Sequence, residues 1–163
     1  MTQALDPLLA DDPTKWISEL PEFQRTPLQQ LLASGLSYED VGQRWLSASA
    51  ANTYRFSAAR PAGQEGAFLE RLRVEMRAFL CGDPRYEKER SGLFGEKSVA
   101  RTYVVSAIAV AVAPHLSVAS TFIAPVVALV LAGLGKVTLN AWCAGQTGGA
   151  KDQPPPTSPT SSG

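Results

Sequence analysis

The sequence predicts an all-α protein, built as a small helical bundle. Signals for helix starts and stops recur along residues 12–95, whereas the alternating apolar and polar runs typical of strands are scarce. A long uncharged stretch follows, from Thr102 to Gly135, and then a Pro- and Ser-rich end. These features predict amphipathic helices at 12–95, an apolar helical hairpin at 96–143 and a disordered tail at 144–163. The first segment, 1–11, is expected to be flexible.

Proline residues mark the predicted starts and ends of the first helices. Asp12-Pro13 suits an N-cap followed by proline at the first helical position, and Pro21 should end the short helix that begins there. Thr26-Pro27 repeats the same signal and predicts a second helix start, with Gly35 as the stop. The apolar residues between them have helical spacing, so this segment should place one face on a core.

Further helices follow with an equally clear apolar face. Ser37 and Asp40 have the spacing of a capping box and predict a helix start. The pattern weakens over residues 48–66, where small residues, Pro and Gly favour a flexible connection. A regular amphipathic helix is predicted at 67–81, and Asp83-Pro84 predicts the start of a polar helix.

The apolar stretch is longer than a single membrane span requires. Thr102–Gly135 covers roughly 34 residues, and Pro114-His115 is expected to break it into two arms. The first arm, Thr102–Ala113, has about 12 residues and would be ~18 Å long as a helix, too short for a bilayer core of ~30 Å. The second arm, Leu116–Gly135, has about 20 residues and the length to cross.

The candidate functional residues lie at the boundaries and bends of this stretch. Arg101 and Lys136 bracket it and would mark its water boundaries, and Trp142 would anchor its end at a membrane interface. Pro125 predicts either a kink in the second arm or a later helix start near Ala124.

Pro114 and His115 set the predicted bend, and His115 is the only histidine. The simpler interpretation of His115 is a turn residue with a polar tip. The alternative is a pH-sensitive trigger, because protonation near pH 6 would charge the turn and change insertion.

Two locations of the hairpin stay open at this point. In a soluble bundle, the amphipathic helices cover the hairpin, and the region 116–135 is hidden under Leu31, Trp45, Leu72 and Phe79. In a membrane protein, the same region faces lipid, and the basic residues before it hold the first half in the cytoplasm. The broken Ala-, Val- and Leu-rich hairpin resembles, by composition, the hydrophobic hairpin of pore-forming colicins. That resemblance implies release from a bundle into a membrane.

The leading functional hypothesis is a non-enzymatic membrane-associated protein, acting as a membrane-perturbing effector or as an anchor for a partner. The alternative is a soluble helical interaction module with the hairpin as its core. The expected partners are a lipid membrane and an unidentified protein, with oligomerisation left open. Fifteen basic and fifteen acidic residues give a net charge of zero, which argues against a nucleic-acid partner.

The expected location is the cytoplasm of a bacterium, with association to the inner membrane under the membrane hypothesis. The N-terminus lacks the basic and apolar regions of a secretory signal.

No enzyme chemistry is indicated. One histidine and the absence of a nucleophile signature argue against a catalytic triad, and no cofactor or metal is expected. Cys81 and Cys143 each lie near the end of a helical run, so both are interpreted as small buried hydrophobic residues rather than a disulfide framework.

Overall fold

The fold is all-α, as the sequence predicts. The computed structural model describes residues 5–53, 65–94, 100–134 and 139–144, and every regular element in these ranges is helical. Lys136 and the predicted tail beyond residue 144 lie outside the described residues. The helices are α1 (Asp6–Ala10), α2 (Thr14–Ser18), α3 (Glu22–Ala33), α4 (Tyr38–Thr53), α5 (Glu65–Cys81), α6 (Glu87–Phe94), α7 (Arg101–Leu116) and α8 (Ser120–Leu134). A short 3-10 helix, Pro84–Tyr86, precedes α6, and residues 139–144 are helical as well.

Helix α8 lies at the centre of the molecule. It packs against α7, α4 and α2, with smaller contacts to α5 and α1. Every residue from Pro125 to Leu129 is buried. Such a helix, apolar on all sides, needs cover from its neighbours, and α4 and α2 supply most of it beside α7, while α5 packs mainly against α7. Leu72 and Phe79 of α5 are fully buried in the shared core.

Several predicted boundaries agree with the structure. Helix α5 ends at Cys81, and Gly82 follows with a φ of 105°, a left-handed conformation that favours glycine. Ser37 and Asp40 flank the start of α4, where the backbone N–H of Asp40 donates to Ser37 Oγ at 3.1 Å. The side chain of Asp83 accepts from the backbone N–H of Arg85 at 2.9 Å. These contacts are the helix caps that the spacing predicts.

The predicted helix start at Thr26-Pro27 is wrong. Helix α3 begins at Glu22, so Pro27 lies inside the helix. Proline at this position leaves the carbonyl of Phe23 without its helical donor. Phe23 and Pro27 are both exposed, so water can bond that carbonyl and the helix continues.

The break in the apolar stretch comes later than predicted. Helix α7 runs through Pro114 and His115 to Leu116. Ser117 then adopts a left-handed conformation with a φ of 57°, and the N–H of Val118 donates to the carbonyl of Ala113 at 3.2 Å. This pattern is a Schellman motif, which ends a helix by satisfying its last carbonyl groups. Pro114 is tolerated because it removes a single helical hydrogen bond near the exposed end.

The two cysteines form a disulfide, which corrects their interpretation as unpaired hydrophobic residues. The bond joins Cys81 at the end of α5 to Cys143, 62 residues later, in the helical segment 139–144. The backbone N–H of Leu139 also donates to the carboxylate of Asp6 at 2.9 Å. The segment after α8 is therefore attached to both α5 and α1.

Residues 5–10 of the predicted flexible N-terminus contribute to the core. Leu5 and Leu9 are buried, and α1 reaches α8. Two apolar residues four positions apart lie on one face of a short helix, which explains why so brief an element packs.

Candidate functional site: the apolar helix pair and its cover

The apolar pair α7–α8 is an open hairpin inside the bundle. The chain direction turns through 117° between the two helices. Within the described residues, no single helix has both the length and the hydropathy of a membrane span, although the bent pair meets the criterion when taken together. Most of the pair is buried.

Pro125 lies within α8, which begins at Ser120, so the later start near Ala124 is not seen. Because proline lacks an N–H, the carbonyl of Thr121 loses its helical donor. The side-chain amide of Gln24 donates to this carbonyl at 3.2 Å. Gln24 is itself buried, at 6% exposure, so the pairing gives this buried amide an acceptor and the Thr121 carbonyl a replacement donor.

A second donor reaches the neighbouring carbonyl. The indole N–H of Trp45, on α4, donates to the backbone oxygen of Phe122 at 3.2 Å. Helices α3 and α4 thus each donate one hydrogen bond to the turn of α8 that precedes Pro125, and α4 also packs against α8. We call this turn the proline turn. Under the soluble-bundle hypothesis, the sequence predicts that Trp45 covers the hairpin. It does not indicate Gln24, because a glutamine among apolar neighbours gives no sign of its distant partner.

Arg101 attaches the start of α7 to the α1–α2 connection. Its guanidinium lies 2.6 Å from the carboxylate of Asp11 and 5.7 Å from the ring centroid of Trp16. The side chain is only 14% exposed. A hydrogen bond from Lys15 is the main cause that lowers the pKa of Asp11 to about 2, with help from the backbone N–H of Asp12 and from Arg101. Arg101 here is an internal ion-pair residue beside the apolar pair.

His115 is exposed in the last turn of α7, where its ring meets the buried ring of Tyr86 edge-on at 5.1 Å. The hydroxyl of Tyr86 donates to the carboxylate of Glu75, and Arg85 pairs with the same carboxylate at 3.6 Å. Burial, followed by the hydrogen bond to Glu75, raises the pKa of Tyr86, so the hydroxyl stays protonated as a donor. The pH-trigger hypothesis for His115 stays a prediction.

Trp142 is half-buried in the segment after α8, next to the disulfide at Cys143. The guanidinium carbon of Arg77, on α5, lies 5.0 Å from the centroid of its ring. This distance is typical of a cation–π contact. The amphipathic pattern of α5 gives no indication of this contact.

A cleft of about 560 Å³ opens between α4, α5 and α8 beside this contact. Its apolar lining includes Leu69, Val126 and Leu129, and Arg73 and Arg77 line it from α5. Among the described residues, no group of three or more His, Cys, Asp or Glu side chains has the arrangement to hold a metal ion.

The outer face of α7 is uncovered by the described helices and is apolar apart from the exposed Ser106. Tyr103 and Val110, seven residues apart on one face, are 50% and 62% exposed. Ala107 lies between them, half-buried, and Pro114 continues the face toward the exposed end. We call Tyr103, Ala107, Val110 and Pro114 the α7 face.

Comparison of the chain with protein-family models, with curated proteins and with solved structures found no match.

Proposed function

We propose that the protein is a non-enzymatic helical module that uses its apolar pair as its own core and binds another protein through the α7 face. The burial of α8 supports the first part most directly. Gln24 donates to the Thr121 carbonyl, whose helical donor Pro125 removes, and Trp45 donates to the neighbouring carbonyl of Phe122. A helix released to lipid would give up both hydrogen bonds, and the unsatisfied Thr121 carbonyl is costly there.

The α7 face supports the second part. It combines an aromatic ring with aliphatic side chains, and no Asp, Glu, Lys or Arg occurs between Thr102 and Leu116. Contiguous exposed apolar surface on a helix is typical of a face that docks against a partner. Tyr103, Ala107 and Val110 have the i, i+4, i+7 spacing of helix residues that anchor in the groove of a partner protein.

The first test is fractionation of the expressed protein, with carbonate extraction of the membrane pellet. The proposal expects monodisperse protein in the soluble fraction. Protein that stays in the pellet after extraction would contradict it and would support integral insertion.

Insertion of the released pair into a membrane is the second candidate. The observation that favours it is the combined length and hydropathy of the bent pair. Substituting Val127 cannot separate the candidates, because Val127 is fully buried and a charge there would unfold the bundle as well as block insertion.

Val110→Asp separates them, because Val110 is exposed in the folded bundle. We expect the urea midpoint of this variant to match that of the wild type, whereas Val112→Asp, at a fully buried position of the same helix, should not fold. Insertion would still be opposed by about 2.5–3.5 kcal/mol for a central Asp. Dye release from anionic phospholipid vesicles by the wild type, lost in Val110→Asp, would favour the second candidate. No release by either protein would favour the interaction module.

The paired cysteines bear on location. Disulfides persist in oxidising compartments and are rare in the cytosol. The disulfide therefore supports an oxidising compartment as the location, whereas the sequence favours the cytoplasm. Thiol trapping of the protein as it is isolated from cells shows whether the two cysteines are oxidised, and this result decides between the two locations.

A further inference from the structure

The cleft between α4, α5 and α8 has the size and shape of a small-molecule site. Its volume of about 560 Å³ lies within the range of about 300–1,000 Å³ that is typical of ligand pockets. It extends along α5 from Leu69 to Arg77, a rise of about 12 Å for eight helical residues. The cleft is therefore long enough to hold an extended chain of several bonded atoms.

The inner part of the cleft is apolar and is kept open by two glycines. Val126 and Leu129 of α8 face Gly42 of α4, where an added methyl carbon would lie 3.7 Å from Val126 and 3.8 Å from Leu129. At Gly133 an added methyl carbon would lie 3.8 Å from the Cβ of Tyr38. These are ordinary contact distances for a methyl group, and at Gly133, which is exposed, a longer side chain can extend into the cleft.

The charges at the cleft are unevenly neutralised. Arg73 pairs with Glu39 at 3.3 Å and with Glu70 at 3.8 Å. Arg77, one turn further along α5, makes no ion pair with any described residue and stacks on Trp142. Its Nε is buried and has no hydrogen-bond partner among the described residues. Because solvent does not reach the Nε, an anion in the cleft would pair with the terminal N–H groups of this guanidinium.

We propose that the cleft binds a single-chain amphiphile with a carboxylate head, such as a medium-chain fatty acid. The carboxylate accepts hydrogen bonds from the guanidinium of Arg77 beside Trp142, and the acyl chain lies along Leu69, Val126 and Leu129. Arg77, without an ion pair among the described residues, and the apolar side chains along the cleft match one anionic head on one apolar tail. The planar guanidinium suits a carboxylate because it offers parallel N–H groups.

The test is calorimetric titration of the full-length, disulfide-bonded protein with laurate below its critical micelle concentration. Dodecyl maltoside, which has the same chain length and an uncharged head, is the comparison probe. We expect laurate to bind at least about tenfold more tightly, because charge-assisted hydrogen bonds are worth that much or more. Binding should also change the fluorescence of Trp142, and this change should be absent in Trp142→Phe.

Arg77→Gln should weaken laurate binding by about tenfold or more and leave the affinity for dodecyl maltoside unchanged. Arg71→Gln is the matched control, since Arg71 is exposed on the same helix and does not line the cleft. It should bind both probes as the wild type does.

Gly133→Leu should abolish binding of both probes by filling the cleft, while Gly92→Leu, at a position of α6 with no atom within 4 Å of an added carbon, should not. Both variants exchange glycine for a better helix former, so both should fold. The proposal is overturned if laurate does not bind the wild type, if Arg77→Gln binds laurate as tightly as the wild type, or if Gly133→Leu retains binding.

Discussion

At the scale of single residues, the most informative contact is the one between Gln24 and the carbonyl of Thr121. The sequence predicts that Pro125 disturbs α8, but it contains no sign of the donor that compensates. Gln24 lies 97 residues away along the chain, and Trp45 lies 77 residues from its acceptor Phe122. Local patterns report local spacing, so contacts of this separation are invisible to them.

Gln24→Leu should lower the free energy of unfolding by about 0.5–1.5 kcal/mol, because it removes the hydrogen bond to the Thr121 carbonyl. In a Pro125→Ala background the cost should shrink, since the new N–H at position 125 can bond the same carbonyl. Urea unfolding of the double-mutant cycle measures this coupling. Gln29→Leu, at an exposed position of α3, is the control and should be nearly neutral. Equal costs in the two backgrounds would show that Gln24 does not serve the proline turn.

Asp11 carries a pH dependence with a defined sign. Its pKa is lowered from 3.8 to about 2, chiefly by the hydrogen bond from Lys15 and then by the N–H of Asp12 and by Arg101. A lowered pKa means that the ionised form stabilises the fold above pH 4, and that this contribution is lost as the pH falls toward 2. The stability advantage of the wild type over Asp11→Asn should therefore narrow across that window in urea unfolding. An advantage as large at pH 2 as at pH 7 would contradict the assignment.

At the scale of elements, the sequence predicts which segments are helical better than it predicts where they end. Helix α5 and the capping box of α4 follow from spacing alone. Two of the errors fall at prolines, because Pro27 and Pro114 were expected to begin or break a helix and instead lie inside one. Whether a proline is tolerated depends on whether the carbonyl four residues earlier can find another donor, and that depends on exposure in the folded molecule.

The disulfide is the element-scale feature that the sequence did not indicate, because two cysteines 62 residues apart have no characteristic spacing. Reduction should lower the free energy of unfolding by roughly 4 kcal/mol or less, the chain-entropy expectation for a loop of this length. The measurement is urea unfolding with and without reductant. The Cys81→Ser, Cys143→Ser double variant is the control, and it should match the reduced wild type and ignore reductant. Equal stability of the oxidised and reduced wild type would contradict a bond between Cys81 and Cys143.

At the scale of the whole molecule, the sequence does not show whether the uncharged stretch lies in a membrane or in a protein core, because this depends on how the helices pack. A long uncharged stretch fits a bilayer or a protein core equally well, since both environments are apolar. The structure buries α8 against α7, α4 and α2 and leaves one face of α7 exposed. The cover was partly foreseeable from the amphipathic periodicity of α5, whereas the cleft and Arg77 depend on how three helices meet.

Hydrogen exchange of the full-length, disulfide-bonded protein in solution measures the protection of α8 directly. Amides of Ser120–Leu134 should be among the slowest to exchange and should open only with global unfolding, because α8 is the centre of the core. Amides of the polar helix Glu87–Phe94 provide the internal comparison and should exchange earlier. If the Ser120–Leu134 amides exchange as fast as those of Glu87–Phe94, then α8 is not the core of a folded bundle, and the interaction-module proposal fails with it.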